Sequence, residues 1–212
     1  MPKLIIFDCD GVLVDSEPLS NRVIAEFMTE IGIPMTTEEA IQLFAGGSLQ
    51  RVNDFILSKT GQPAPDGIED IYRERSYALF QKELQPIEGI QEALETINFK
   101  RCVASNGPLH KMKLNLKITG LSAYFGEDLF SAYEVGFWKP DPRLFLHAAE
   151  KMGYPPDKCI VIEDSIHGIQ AARSAGMQVL GYSRSEYGHQ LENEGVSTFH
   201  AMSKLAEILI DL

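Results

Sequence analysis

Leu4-Ile5-Ile6-Phe7-Asp8-Cys9-Asp10-Gly11-Val12-Leu13-Val14-Asp15-Ser16 opens with four apolar residues and then turns abruptly acidic. A short, continuously apolar run of this kind makes a fully buried strand, as in a parallel sheet. Gly11 marks the sharp backbone turn that follows. Strand alternation sends Asp8 and Asp10 to the same side, so two carboxylates emerge together where an apolar strand stops. Two such charges repel, and burial raises the cost unless a cation sits between them or one takes a proton. The pair therefore marks either a site that binds a metal and moves protons or an acidic turn after a strand, and such turns are common. In open α/β sheets, ligands bind beyond the carboxyl ends of the strands, where this pair lies. Cys9 is expected to point to the opposite side of the strand, which argues against a nucleophilic thiol.

Outward from that stretch the pattern becomes helical. Leu19, Val23, Ile24, Phe27 and Ile31 recur at 3- and 4-residue spacing until Gly32 and Pro34. Thr37-Glu38-Glu39 opens a second helix, Gly46-Gly47-Ser48 breaks it, and a third covers 49–59. The loop Gly61-Gln62-Pro63-Ala64-Pro65-Asp66-Gly67 precedes a longer helix from Ile68 to Leu84. Residues 16–85 thus read as an all-helical domain inserted into a core made of 1–15 and 86–212. From Pro86 onward, helices at 87–97, 111–121, 143–152 and 165–175 alternate with strands at 101–105, 128–131, 159–163 and 179–182, and an amphipathic helix lies near 202–212. Such repetition implies an α/β fold with a parallel sheet covered on both faces.

At 212 residues the chain can bury one sizeable α/β core with a modest insertion. The net charge of −11 argues against a nucleic-acid partner, because neutralising phosphates needs a basic face. An anionic substrate would have to be drawn by a local cation and a few lysines, not by the overall field. No run approaches the roughly 18 apolar residues of a membrane span, and no basic leader opens the chain. Cytoplasm is the expected compartment, consistent with three cysteines, Cys9, Cys102 and Cys159, in or beside predicted strands. Nothing in the pattern suggests an assembly surface, so a monomer is expected.

Three further polar clusters sit where predicted strands end. Ser105-Asn106-Gly107 combines a hydroxyl, an amide and a glycine before a helix, which suits an anion site or a helix N-cap. Lys139 stands in Trp138-Lys139-Pro140-Asp141-Pro142, whose prolines stiffen the backbone and force an extended approach to the next helix. A lysine so held can be aimed at a phosphate or carboxylate, though most loop lysines are simply solvated. Glu163-Asp164-Ser165 ends an apolar strand with acids, which again fits a cation site or a dipole-favoured N-cap. Magnesium takes one or two carboxylates plus water and phosphate oxygens, so Asp8, Asp164 and the Asp10 carbonyl make an adequate cage, with Glu163 beside them.

Taken together and in chain order, these clusters resemble the four motifs of the haloacid dehalogenase-like hydrolases. The first is Asp8-x-Asp10-Gly11-Val12-Leu13-x-Asp15-Ser16, followed by Ser105, by Lys139 before Pro140-Asp141-Pro142, and by Glu163-Asp164. The resemblance spans almost the whole chain, in the branch of β-phosphoglucomutase and the small sugar-phosphate phosphatases. It implies a Rossmann-like parallel-sheet core with an inserted helical cap.

The resemblance also implies a mechanism. Asp8 would attack phosphorus and form an aspartyl-phosphate. Asp10 would protonate the leaving alcohol and then activate water. Mg²⁺ would neutralise charge and align the phosphate, and Ser105 and Lys139 would hold phosphoryl oxygens. Asp10 argues against dehalogenation, since a halide leaves without a proton. Neither cap lysine, Lys59 or Lys82, matches a Schiff-base role. Glu17-Pro18-Leu19-Ser20-Asn21 lacks the cap-hinge histidine of the mutases, which favours hydrolysis over a phosphomutase reaction. Ser105-Asn106-Gly107-Pro108 with Lys111-Met112, Phe130-Ser131-x-Tyr133 and His147-Ala148-Ala149 is similar to bacterial 6-phosphogluconate phosphatases. The expected substrate is a small sugar phosphate or sugar-acid phosphate, met by Asn106, Gly107 and Lys111 in the core. Glu17, Gly46, Gly47, Ser48 and Arg51 in the cap would select it; Arg51 would pair with a substrate carboxylate or remain a solvated helix arginine.

Overall fold

The computed structural model describes residues 2–183, 191 and 194–210. The chain divides into two compact units, one running up to Val14 and resuming at Gln85, the other Asp15–Leu84.

Six strands build the first unit: β1 (Leu4–Phe7), β2 (Lys100–Ser105), β3 (Leu129–Ser131), β4 (Cys159–Glu163), β5 (Gln178–Tyr182) and β6 (Ser197–Phe199). They form one parallel sheet in the order β3-β2-β1-β4-β5-β6. This is the doubly wound Rossmann order, with the chain turning to one side after β1 and to the other at β4. The crevice that such a reversal opens lies between the carboxyl ends of β1 and β4. Register puts Phe7 beside both Val103 and Ile162, so Asp8 and Glu163 are each the next residue on adjoining strands. β1 is buried at every position, which is why its sequence shows no alternation.

The second unit holds α1 (Glu17–Glu30), α2 (Thr37–Phe44), α3 (Leu49–Thr60) and α4 (Ile68–Glu83). Ile24, Phe27, Met28, Phe44, Val52, Ile56 and Ile68 make its own apolar core. A reciprocal capping box starts α2: the Glu39 N–H donates to Thr36 Oγ1 and the Thr36 N–H to Glu39 Oε2. Gly61, left-handed at φ 69°, closes α3.

The sheet is flanked by α5 (Ile90–Thr96), α6 (Leu109–Ile118), α7 (Ser122–Phe125), α8 (Ala132–Val135), α9 (Arg143–Met152), α10 (Ile166–Ser174) and α11 (Leu205–Ile210). Leu144, Phe145 and Ala148 of α9 and Ala171 and Ala172 of α10 pack with Leu4, Ile6, Cys102 and Val161. On the other face, Phe7 meets Phe125 edge-on, with ring centroids 5.8 Å apart. All three cysteines are buried free thiols. Among the described residues, no helix is long and apolar enough to cross a membrane.

Several boundaries differ from the sequence reading. The helix expected from residue 87 begins at Ile90, because the Ile87 N–H donates to the Leu13 carbonyl and Pro86 bridges to Val14. α6 starts earlier, directly after Pro108, and stops before Gly120 at φ 74°. β6 and the single-turn α7 and α8 were not expected: each is too short to carry a periodic signal. The approach to α9 is a turn and not extended, with the Asp141 N–H donating to the Trp138 carbonyl across a cis Lys139–Pro140 bond. Asp211 and Leu212, the end of the expected terminal helix, lie outside the described residues.

Candidate active site

At the carboxyl end of β1 the chain folds back on itself, with the Gly11 N–H donating to the Val14 carbonyl and both Leu13 and Val14 N–H groups to that of Cys9. The strand ends at Phe7, so this turn and not strand alternation sets the direction of Asp10. The two aspartates consequently meet different lysines. Asp8 is buried and its Oδ1 accepts from Lys139 Nζ at 2.5 Å; Asp10 is half-buried and its Oδ2 accepts from Lys111 Nζ at 2.8 Å.

Lys139 is the hub. Its side chain is 3% exposed, its ammonium also donates to Glu163 Oε1 at 2.6 Å, and it sits 4.9 Å from the centroid of the Phe145 ring. Burial alone would depress its pKa, but Asp8 and Glu163 outweigh that and hold it above the ordinary lysine range. Asp8 is pushed up to about 7, chiefly by burial and against the pull of Lys139, with Glu163 adding repulsion. Glu163 is fully buried, and its Oε2 accepts from the N–H groups of Asp164 and Ser165 and from Ser165 Oγ.

Two glycines make room for these acids. A Cβ on Gly168, in the first turn of α10, would stand 1.8 Å from Glu163 Oε1. One on Gly11, at φ 81°, would stand 1.8 Å from Asp164 Oδ2. Only residues without side chains let a carboxylate lie against the backbone at these points.

Asp8, Glu163 and Asp164 each bring a carboxylate oxygen within 4.8 Å of the others. With Asp10, four carboxylates face two lysines at this end of the sheet, an excess of negative charge that suits a divalent cation. Both oxygens of Glu163 already accept hydrogen bonds, and Asp8 Oδ1 accepts from Lys139. This all-oxygen donor set fits a hard divalent cation such as Mg²⁺.

Ser105 ends β2 and is buried, its Oγ accepting from the Gly107 N–H at 3.0 Å. A Cβ on Gly107 would lie 3.4 Å from Ser105 Oγ and 3.7 Å from Asp10 Oδ2, so Ser105, Gly107 and Asp10 lie side by side. Asn106 turns toward the backbone of Lys139, donating to its carbonyl and accepting from its N–H. Its side-chain amide is thus engaged by the backbone of Lys139. Ser131, quoted from the sequence only within Phe130-Ser131-x-Tyr133 and not as a site residue, is fully buried at the end of β3 and donates to the Gly107 carbonyl at 2.7 Å. A serine closing a predicted strand beside a second strand-end serine was the available signal. Cys9 is fully buried, and burial first, then Asp10 and Asp8, raises its thiol pKa well above the usual value. That environment keeps it protonated and unreactive.

In the helical unit, Glu17 Oε1 accepts from the Gly46 N–H at 2.8 Å and so ties the 46–48 loop to the first turn of α1. Gly47 donates to the Phe44 carbonyl, Ser48 is the N-cap of α3 without a side-chain cap, and Gly46, Gly47, Ser48 and Arg51 are exposed. The five expected cap residues therefore form one neighbourhood within that unit.

Residues 2–176 match the family description haloacid dehalogenase-like hydrolase. Over 207 residues the chain is 36% identical to the 6-phosphogluconate phosphatase of Escherichia coli K12, covering 97% of this chain and 94% of that protein. Among solved structures, a conserved haloacid dehalogenase-like protein of unknown function from Agrobacterium tumefaciens superposes with a TM-score of 0.91 at 33% identity, over 100% and 99% of the two chains. A HAD family hydrolase from Deinococcus radiodurans, solved with bound phosphate and sodium, gives 0.84 at 27% identity, over 99% and 96%. Sheet order, the acids at the β1 and β4 ends and these similarities agree: the chain belongs to the haloacid dehalogenase-like hydrolases.

Proposed function

We propose that this protein is a Mg²⁺-dependent phosphatase that hydrolyses a small sugar phosphate or sugar-acid phosphate, 6-phosphogluconate being the first candidate, through a phosphoryl group carried on Asp8. The observation that carries this reading is the buried Asp8 carboxylate, bonded to Lys139 and grouped with Glu163 and Asp164, with Asp10 two residues on. The similarity to a 6-phosphogluconate phosphatase supports the substrate class.

In this reading an oxygen of Asp8 attacks phosphorus in line with the leaving alcohol. The bond to the alcohol breaks, and Asp10 gives that oxygen its proton. A water then attacks the phosphorus of the aspartyl-phosphate, losing its proton to Asp10, and inorganic phosphate leaves with Asp8 restored. Asp8, Asp164 and the Asp10 carbonyl would hold Mg²⁺, which supplies positive charge against the phosphoryl oxygens. Lys139 and the Ser105 hydroxyl donate to the same oxygens, where negative charge spreads in a loose transition state. Glu163 keeps Lys139 charged and in place. Lys111, paired with Asp10, lies where the arriving anion would compete for it. We assign substrate choice to the cap neighbourhood of Glu17, Gly46, Gly47, Ser48 and Arg51.

Release of inorganic phosphate from a panel of phosphorylated metabolites tests the reading. Hydrolysis that stops on chelation and returns with Mg²⁺, with 6-phosphogluconate among the best substrates, is expected. A protein inert toward every phosphomonoester in the presence of Mg²⁺ overturns it.

A further inference from the structure

The Lys139 ammonium rides on a flexible four-carbon stem, so its aim depends on how firmly the backbone beneath it is held. The head of that side chain is fixed by Asp8 and Glu163. The root is fixed from a different strand end. The Lys139 N–H donates to Asn106 Oδ1 at 2.9 Å, and Asn106 Nδ2 donates to the Lys139 carbonyl at 3.4 Å. One carboxamide thus presents an acceptor and a donor, on separate atoms, to the donor and acceptor of a single residue, whereas an ionised aspartate has acceptors only.

Asn106 is itself set between two pinned neighbours. Ser105 precedes it at the end of β2, and the Gly107 carbonyl accepts from the buried Ser131 Oγ while the Gly107 N–H donates to Ser105 Oγ. The Ser105 hydroxyl and the root of Lys139 are therefore joined through one residue, although they stand 34 positions apart in the chain (139 − 105).

We propose that the side chain of Asn106 is a positioning group for Lys139 and not a contact to the sugar, and that it fixes the spacing between the Ser105 hydroxyl and the Lys139 ammonium. The inference deepens the phosphatase reading and rests on it for its kinetic consequence, but the clamp itself is measurable without catalysis. The phosphoryl group is common to all substrates, so a residue acting through Lys139 affects every one of them alike. A residue touching the sugar affects only those that carry it.

The test compares Asn106→Ala, which removes both bonds, with Asn106→Asp, which keeps the acceptor and loses the donor. Amide exchange at Lys139 is read by NMR and kinetics with para-nitrophenyl phosphate and 6-phosphogluconate. In Asn106→Ala the Lys139 amide should exchange faster than in the wild type, while in Asn106→Asp it should stay protected. In Asn106→Ala kcat should fall about 10- to 100-fold, by the same factor for both substrates, with KM within about twofold. Unchanged exchange in Asn106→Ala overturns the clamp whatever the activity. A raised KM confined to 6-phosphogluconate, with the aryl phosphate unaffected, overturns the positioning role in favour of a substrate contact. Should Asn106→Ala not fold, Asn106→Asp decides by the same two-substrate comparison, an equal fall in kcat supporting the proposal and a selective rise in KM refuting it. A wild type inert toward both compounds removes the phosphatase reading instead, and the exchange result still decides the clamp.

Discussion

The strand ends of the sheet unit and the 46–48 loop of the helical unit hold their polar residues in opposite ways. In the first, Asp8, Asp10 and Glu163 each accept from a lysine ammonium, Glu163 accepts four hydrogen bonds in all, Lys139 is bonded at head and root, and a Cβ on Gly11 or Gly168 would collide with a carboxylate. In the second, an exposed loop is tied by the Gly46 N–H to Glu17 and by backbone bonds to its neighbours, and nothing lies within 4 Å of a Cβ built on Gly46. In the proposed reading the contrast separates two tasks. Moving a phosphoryl group needs charges held rigidly in a site of low dielectric, where misplacement is costly. Choosing among sugars needs a surface whose residues can change without disturbing that site.

The contrast is broken most directly at Lys139. Lys139→Ala strands Asp8 and Glu163 as buried, unpaired acids, and loss of one partner of a buried pair costs about 3–5 kcal/mol. Phosphatase activity should fall by about 10²- to 10³-fold or more, as when a donor to transition-state oxygens is removed. Thermal unfolding and phosphate release read the two effects. A variant as stable and active as the wild type would mean that the ammonium is not the keystone described.

Next in size is a pair of glycines. Gly168→Ala drives a methyl into the Glu163 carboxylate and should cost about 2–3 kcal/mol together with activity, because the acid that holds Lys139 must move. Gly46→Ala meets only open space and should cost about 1 kcal/mol from its positive φ alone. Equal losses by urea titration would erase the distinction between the two regions.

Smallest is the effect on selection. Arg51→Ala and Ser48→Ala should lower kcat/KM for 6-phosphogluconate more than for para-nitrophenyl phosphate, shifting the ratio about 3- to 10-fold. A ratio that does not move would take Arg51 and Ser48 out of substrate choice and leave Arg51 a solvated helix arginine.

The same contrast explains what the sequence disclosed. Leu4–Phe7 reads as a buried strand because both its faces are covered, and the acids that follow stand out against it because charge at such a place demands a partner. Glu163 and Asp164 repeat that signal at the end of β4. Which cation answers which acid was not legible, since Lys139 reaches Asp8 across 131 residues and Lys111 reaches Asp10 across 101. The role of Asn106 was hidden for the same reason: its partners are backbone groups, and any residue at 139 would offer them. β6 and α8 were missed because three or four residues give a hydrophobic pattern almost no room to repeat.

Acid-quenching the enzyme during turnover of 6-phosphogluconate with Mg²⁺, followed by peptide mass mapping, tests the central claim most directly. The account predicts a phosphoryl adduct on the peptide that contains Asp8, absent from Asp8→Asn, which should release no phosphate. Phosphate release by Asp8→Asn at the wild-type rate, or an adduct on a different residue, would contradict it.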